Sequence, residues 1–142
     1  MENKDTLNEL NKGCTMGMDA LKFVLDKVED NEFKELLENQ YKEYQTVHKK
    51  IEDLYSDYSD GDPTETNGLN KAMTWSMMEM KTLTDTSNSK IAELLLQGTN
   101  MGIIEGRKLI NHKPDLDKKV SKVLYEFVCM QEDYVERLKS YL

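Results

Sequence analysis

Gly13-Cys14-Thr15-Met16-Gly17 returns later in the chain as Gly98-Thr99-Asn100-Met101-Gly102, at an offset of 85 residues. A second echo surrounds it. The apolar ladder Phe33, Leu37, Gln40, Tyr44, Val47, Ile51, Leu54 and Tyr58 is matched at an offset of 83 by one running from Leu116 through Phe127 to Tyr141. Both ladders advance in steps of three and four, which places their members on one face of a helix. The two-residue difference between the offsets falls in a turn. The chain therefore reads as two helical hairpins of one design, 6–58 and 90–142, joined by a crossover over 59–89. A connection of that length can run back along a bundle, whereas an up-and-down bundle needs only short turns. The expected fold is all-α, a single antiparallel four-helix bundle over residues 1–142.

Local signals divide the hairpins into helices. Thr6-Leu7-Asn8-Glu9 has the form of a capping box opening the first helix. Behind it Leu7, Leu10, Cys14, Gly17, Leu21, Val24 and Val28 form one face. Asp30-Asn31 breaks that pattern and supplies a cap for the second helix, whose ladder runs to Tyr58. Ser59 to Gly68 reads as a loop, and Leu69, Met73, Met77, Met80 and Leu83 mark a short amphipathic crossover helix. Thr84 to Ser89 offers several caps for a helix from about Lys90 to Ile110, and Pro114 is placed to start the last one.

Composition removes several function classes. The 142 residues carry a net charge of −8, with no basic stripe of the kind phosphate contacts demand. No apolar run approaches the roughly 18 residues that span a bilayer, and the charged N-terminus lacks the apolar core of a secretory signal. Cys14 and Cys129 stand far apart within helical patterns, so two buried free thiols in the cytoplasm are expected. No phosphate loop, nucleophile elbow or Cys-x-x-Cys is present.

The remaining features suit packing or binding better than catalysis. Gly13, Gly17, Gly98, Gly102 and Gly106 each cost a helix about 1 kcal/mol relative to alanine. Close approach of helix backbones is the expected return, and room for a ligand is the alternative. The 90–110 helix carries a surplus stripe of Leu96, Ile103 and Ile110, which needs cover from the crossover or a second chain. Met73, Met77, Met78 and Met80, beside Trp75, suit an adaptable apolar contact, with soft-metal ligation as the minor alternative. His48 and His112 lack a carboxylate at the Glu-x-x-His spacing. Glu105 is the one carboxylate near an apolar face.

Two like hairpins with a long crossover resemble the ferritin-like superfamily. The stretch Leu25-Asp-Lys-Val-Glu-Asp-Asn-Glu-Phe-Lys-Glu-Leu-Leu37, running on to His48, is similar to the first hairpin of small rubrerythrin-like bacterial proteins. The run from Ile91 to Ile104 is similar to an uncharacterised branch of that group. Active members hold two metal ions with a glutamate from two helices and Glu-x-x-His from the other two. Carried onto this chain, the single glutamates fall on Cys14 and Thr99. One paired position falls on Tyr44 and Val47, the other on Phe127 and Met130 or, one turn on, Gln131 and Tyr134. The resemblance thus implies a bundle without its metal centre and with no cofactor.

The expected function is non-enzymatic, acting through self-association as a homodimer or through a protein partner, with Met73, Trp75, Met77, Leu96 and Ile103 as candidate interface. The alternative is a small-molecule or soft-metal binder using the interior, lined by Cys14, Gln40, Tyr44, Thr99 and Tyr134.

Overall fold

A computed structural model describes residues 2–63, 79–80 and 83–142. Four long helices make up nearly all of it: α1 (Glu2–Leu25), α2 (Asn31–Tyr55), α3 (Asn88–His112) and α4 (Lys118–Leu138), closed by a 3-10 turn over Lys139–Tyr141. Among the described residues there is no strand. The antiparallel hairpins α1–α2 and α3–α4 pack side by side, with α2 against α4 and α1 against α3.

Contacts at the bundle ends fix the directions. The Asp117 amide donates to Asn3 Oδ1 at 2.9 Å, so α1 and α4 start at the same end. Tyr58 Oη donates to Asp117 Oδ2 at 2.7 Å, so α2 finishes there. At the far end Phe33 stacks on Tyr141 with ring centroids 4.4 Å apart and planes at 22°. Hence α2 and α3 run parallel, and the chain leaving α2 at one end enters α3 at the other. The separation is roughly 37 Å for a 25-residue helix, which is what the long crossover is for.

The two hairpins are images of each other. The offset of 83 carries Phe33 to Leu116 and Tyr58 to Tyr141, so the Phe33–Tyr141 stack answers to Tyr58 lying against the 116–117 turn. At the centre the repeat mates Tyr44 and Phe127 meet edge to face, 6.3 Å apart at 61°. Phe33, Leu37, Tyr44 and Ile51 from α2 and Val120, Phe127, Tyr134 and Leu138 from α4 form the core with Leu7, Leu10, Leu21 and Val24 of α1.

Several local expectations need correction. Helix α1 begins at Glu2 rather than at Thr6, whose side chain is fully buried and faces the core instead of capping. Helix α2 stops at Tyr55, and the residues to Tyr58 form a turn. Pro114 lies in the turn before α4, which starts at Lys118. Asp117 there spends its carboxylate on Tyr58, leaving no side-chain cap bond. Two caps are as the sequence implies: Asp30 Oδ1 accepts from the Phe33 amide at 2.8 Å and Ser87 Oγ from that of Lys90 at 3.3 Å. The methionine-rich crossover helix, with Met73, Trp75 and Met77, falls outside the described residues; Met80 is described and buried.

The Tyr58–Asp117 bond gives a pH dependence. Beside this carboxylate the Tyr58 phenol is pushed up to about 12 from an ordinary 10.0. The folded chain therefore holds this proton more tightly than the unfolded one. Stability from this bond is intact below about pH 10 and is lost as the pH rises toward 12. Urea unfolding at pH 8, 10 and 11 should show that decline, with a shallower slope in Tyr58→Phe.

Candidate functional site

Helix α1 brings Gly13 and Gly17 to the middle of the bundle, and α3 brings Gly98 and Gly102 opposite them. What fills the glycine notches is side chain rather than backbone. A β-carbon at Gly17 would stand 2.5 Å from the Tyr44 ring, and one at Gly13 would stand 2.7 Å from the Phe127 ring. Gly102 makes way for the Gln131 amide and Gly106 for Val128. The expectation of close helix backbones is corrected accordingly: these glycines seat large groups from α2 and α4.

Gly98 breaks the symmetry. It is the repeat mate of Gly13, yet a β-carbon there would meet no atom of the described residues within 4 Å. Beside it the described residues leave a pocket of about 40 Å³ between α1 and α3. Its walls are apolar, from Met16, Ala20, Leu21, Leu95 and the crossover's Met80; Tyr44, Thr99, Gln131 and Tyr134 bring the polar atoms.

The polar groups form a short chain. Gln131 Nε2 donates to Tyr44 Oη at 3.3 Å. Thr99 Oγ1, beside Tyr44, donates back to the Leu95 carbonyl at 2.7 Å. Tyr134 Oη and Gln131 Oε1 have no partner among the described residues. Burial pushes the Tyr44, Tyr134 and Cys14 protons up, with Gln131 and Thr99 partly opposing it at Tyr44 and the Tyr44 charge adding to it at Tyr134. The cavity is therefore uncharged at neutral pH.

Of the five interior residues expected from sequence, Tyr44, Thr99 and Tyr134 share this cavity. Cys14 and Gln40 are buried but do not line it. Met130 is half-buried, while Gln131, which the resemblance offers as its alternative but which was not among the five, is 3% exposed. Its signal was its spacing, four residues from Phe127 and three from Tyr134. The inner face of α3 is Ile91, Leu95, Thr99, Gly102 and Gly106, so Leu96 and Ile103 flank it half-buried. Glu105 points outward, 3.8 Å from Lys108. His48 pairs with Glu52 at 3.3 Å.

The two thiols also differ from expectation: Cys14 is buried but Cys129 is exposed. A thiol reagent should titrate one cysteine in the native protein and both in denaturant. Two fast equivalents would place Cys14 elsewhere.

These residues do not fit a pair of metal ions. The positions onto which the resemblance carries carboxylate and imidazole hold Cys14, Thr99, Tyr44 and Val47, with Phe127 and Met130 or Gln131 and Tyr134 for the last pair, and none of these side chains is a carboxylate or an imidazole. Among the described residues no three His, Cys, Asp or Glu side chains gather to hold a metal.

A crossover spanning the bundle between two like hairpins defines a ferritin-like four-helix bundle, and comparison with known structures agrees. The chain matches a dodecameric thioferritin, the bacterioferritin-related protein of Bacteroides fragilis, with a TM-score of 0.75 at 14% identity, covering 98% of this chain and 83% of that one. Its sequence belongs to a family described as a domain of unknown function, DUF2383, whose model matches residues 2–112. No curated protein matches it in sequence. Among the described residues no helix is long and apolar enough to cross a membrane.

Proposed function

We propose that this chain is a non-catalytic ferritin-like bundle that works by associating with copies of itself. The observation that carries this is on the outer seam of α3 and α4, where Ile104 and Tyr125 are 48% and 46% exposed. The ion pair of Arg107 Nη2 and Glu132 Oε1 at 2.7 Å joins the same two helices, and Ile103 and Ile110 of α3 are half-buried. Exposed large apolar side chains and arginine are the residue types enriched in contacts between proteins. The related fold of the Bacteroides fragilis protein is found as a dodecamer, which supports assembly by this architecture. Among the described residues the interior groups are neutral and no three His, Cys, Asp or Glu side chains gather, which supports the non-catalytic half of the reading. Two free cysteines favour the cytoplasm.

Light scattering at increasing protein concentration tests the reading. A dimer or larger assembly is expected, and Ile104→Asp with Tyr125→Asp should shift it to monomer. A strictly monomeric native chain would count against association, and an assembly indifferent to both substitutions would count against this seam.

A further inference from the structure

The internal repeat carries opposite charge at its two tips. The turn joining α3 and α4, taken over 107–122, holds six Lys or Arg and two Asp, a net +4 on a chain of net −8. The offsets of 85 and 83 map it onto 22–39 around the α1–α2 turn, which holds three Lys and six Asp or Glu, a net −3. Lys118, Lys119 and Lys122 are exposed, as are Glu29, Glu32 and Glu35. No ion pair among the described residues engages any of the six. The acidic tip suits its own helix, since carboxylates at the start of α2 complement the helix dipole. The basic tip does not. Lys118 and Lys119 stand in the first turn of α4, where the dipole is already positive and no acidic residue accompanies them, and the carboxylate of the Asp117 cap is bonded to Tyr58.

We propose that the basic α3–α4 tip of one copy docks on the acidic α1–α2 tip of the next. One chain cannot bring its own tips together, because they close opposite ends of a bundle roughly 37 Å long. The contact is therefore head to tail, and it repeats until a ring closes or a filament grows. Complementary charge sets the pairing and its direction, while like tips repel. A phosphate polymer is the poorer partner, because the +4 is confined to one turn, has two aspartates within it and sits on a chain whose net charge repels polyanions. This contact rests on the reading that copies of the chain associate, and it adds a charged pairing to the seam of Ile104 and Tyr125.

A zero-length carbodiimide, which joins a lysine amine to a carboxylate only in direct contact, is applied to the full native chain and the products are mapped by mass spectrometry. Cross-links from Lys118, Lys119 or Lys122 to Glu29, Glu32 or Glu35 are expected, and the distance between the tips makes each one a bond between copies. Sedimentation then follows two charge reversals. One combines Lys118→Glu, Lys119→Glu and Lys122→Glu; the other combines Glu29→Lys, Glu32→Lys and Glu35→Lys. Each alone should weaken assembly about tenfold, and an equimolar mixture of the two should recover it. Glu29→Gln, Glu32→Gln and Glu35→Gln replace the second set if circular dichroism shows lost helix. Assembly that Ile104→Asp with Tyr125→Asp abolishes, but that both tip reversals leave unchanged, would overturn the tip contact and leave the seam standing. The converse pattern would uphold the tips and remove the seam. A strictly monomeric chain would overturn both. Absent tip cross-links, with duplex DNA bound through Lys118 and Lys119 instead, would assign the basic tip to nucleic acid and overturn the docking.

Discussion

Gly17→Val should destabilise the protein by about 3 kcal/mol, at the upper end of what overpacking a core costs. A β-carbon there would sit 2.5 Å from Tyr44 Cζ. The ring has no easy retreat, because it is 3% exposed, meets Phe127 edge-on and accepts a hydrogen bond from Gln131. Valine adds two further carbons to that clash. Gly98→Ala should do the reverse and stabilise by about 1 kcal/mol, since a helical alanine replaces glycine where no described residue stands within 4 Å of the new carbon. Urea unfolding of the two variants compares the same kind of change at a filled and an empty notch. Destabilisation by Gly98→Ala would mean that the space beside it is already taken.

Phe33→Ala should cost about 4 kcal/mol, the middle of the range for truncating a buried phenylalanine. Phe33 is 0% exposed and lies in the first turn of α2, its amide bonded to the Asp30 cap. It also stacks on Tyr141, so its removal frees the 3-10 turn that ends the chain from the α2 side. Thermal unfolding with a probe in the last turn should show fraying there before the global transition. A loss below about 1 kcal/mol would contradict the account of how this end is closed, since even deleting a methylene from a packed core is felt.

Much of this architecture is legible in the sequence because helical periodicity is a strong signal and was repeated. The ladders from Phe33 and from Leu116 place α2 and α4, and the length between the hairpins implies that the crossover spans the bundle. Ends were harder to read. Thr6 has the right neighbours for a cap, but a capping pattern does not register that the helix already runs from Glu2, with Asn3 accepting a bond from the Asp117 amide. Asp117 begins α4 because its carboxylate and amide tie Tyr58 and Asn3 together, a tertiary requirement that Pro114 could not reveal.

The site was half legible. Tyr44 and Tyr134 are polar residues on apolar ladders, so their spacing places them inside, whereas Thr99 is reached only through the repeat and the family resemblance. That Gly13 is filled while Gly98 is empty could not be, because it depends on how one hairpin is set against the other. Sequence repeats the glycine at both places; only packing distinguishes them. The exposed Cys129 is a similar case: it lies between buried Val128 and half-buried Met130, and a small rotation of α4 decides which of them turns inward.

The account depends most on an interior that keeps the shell of a ferritin-like bundle while holding neutral groups in place of metal ligands. Elemental analysis of the full chain, incubated anaerobically with excess ferrous iron and then desalted, addresses this directly. The interior of Cys14, Tyr44, Thr99, Gln131 and Tyr134 predicts well under one iron retained per chain. Two irons per chain, retained through desalting and lost on substituting these residues, would contradict it.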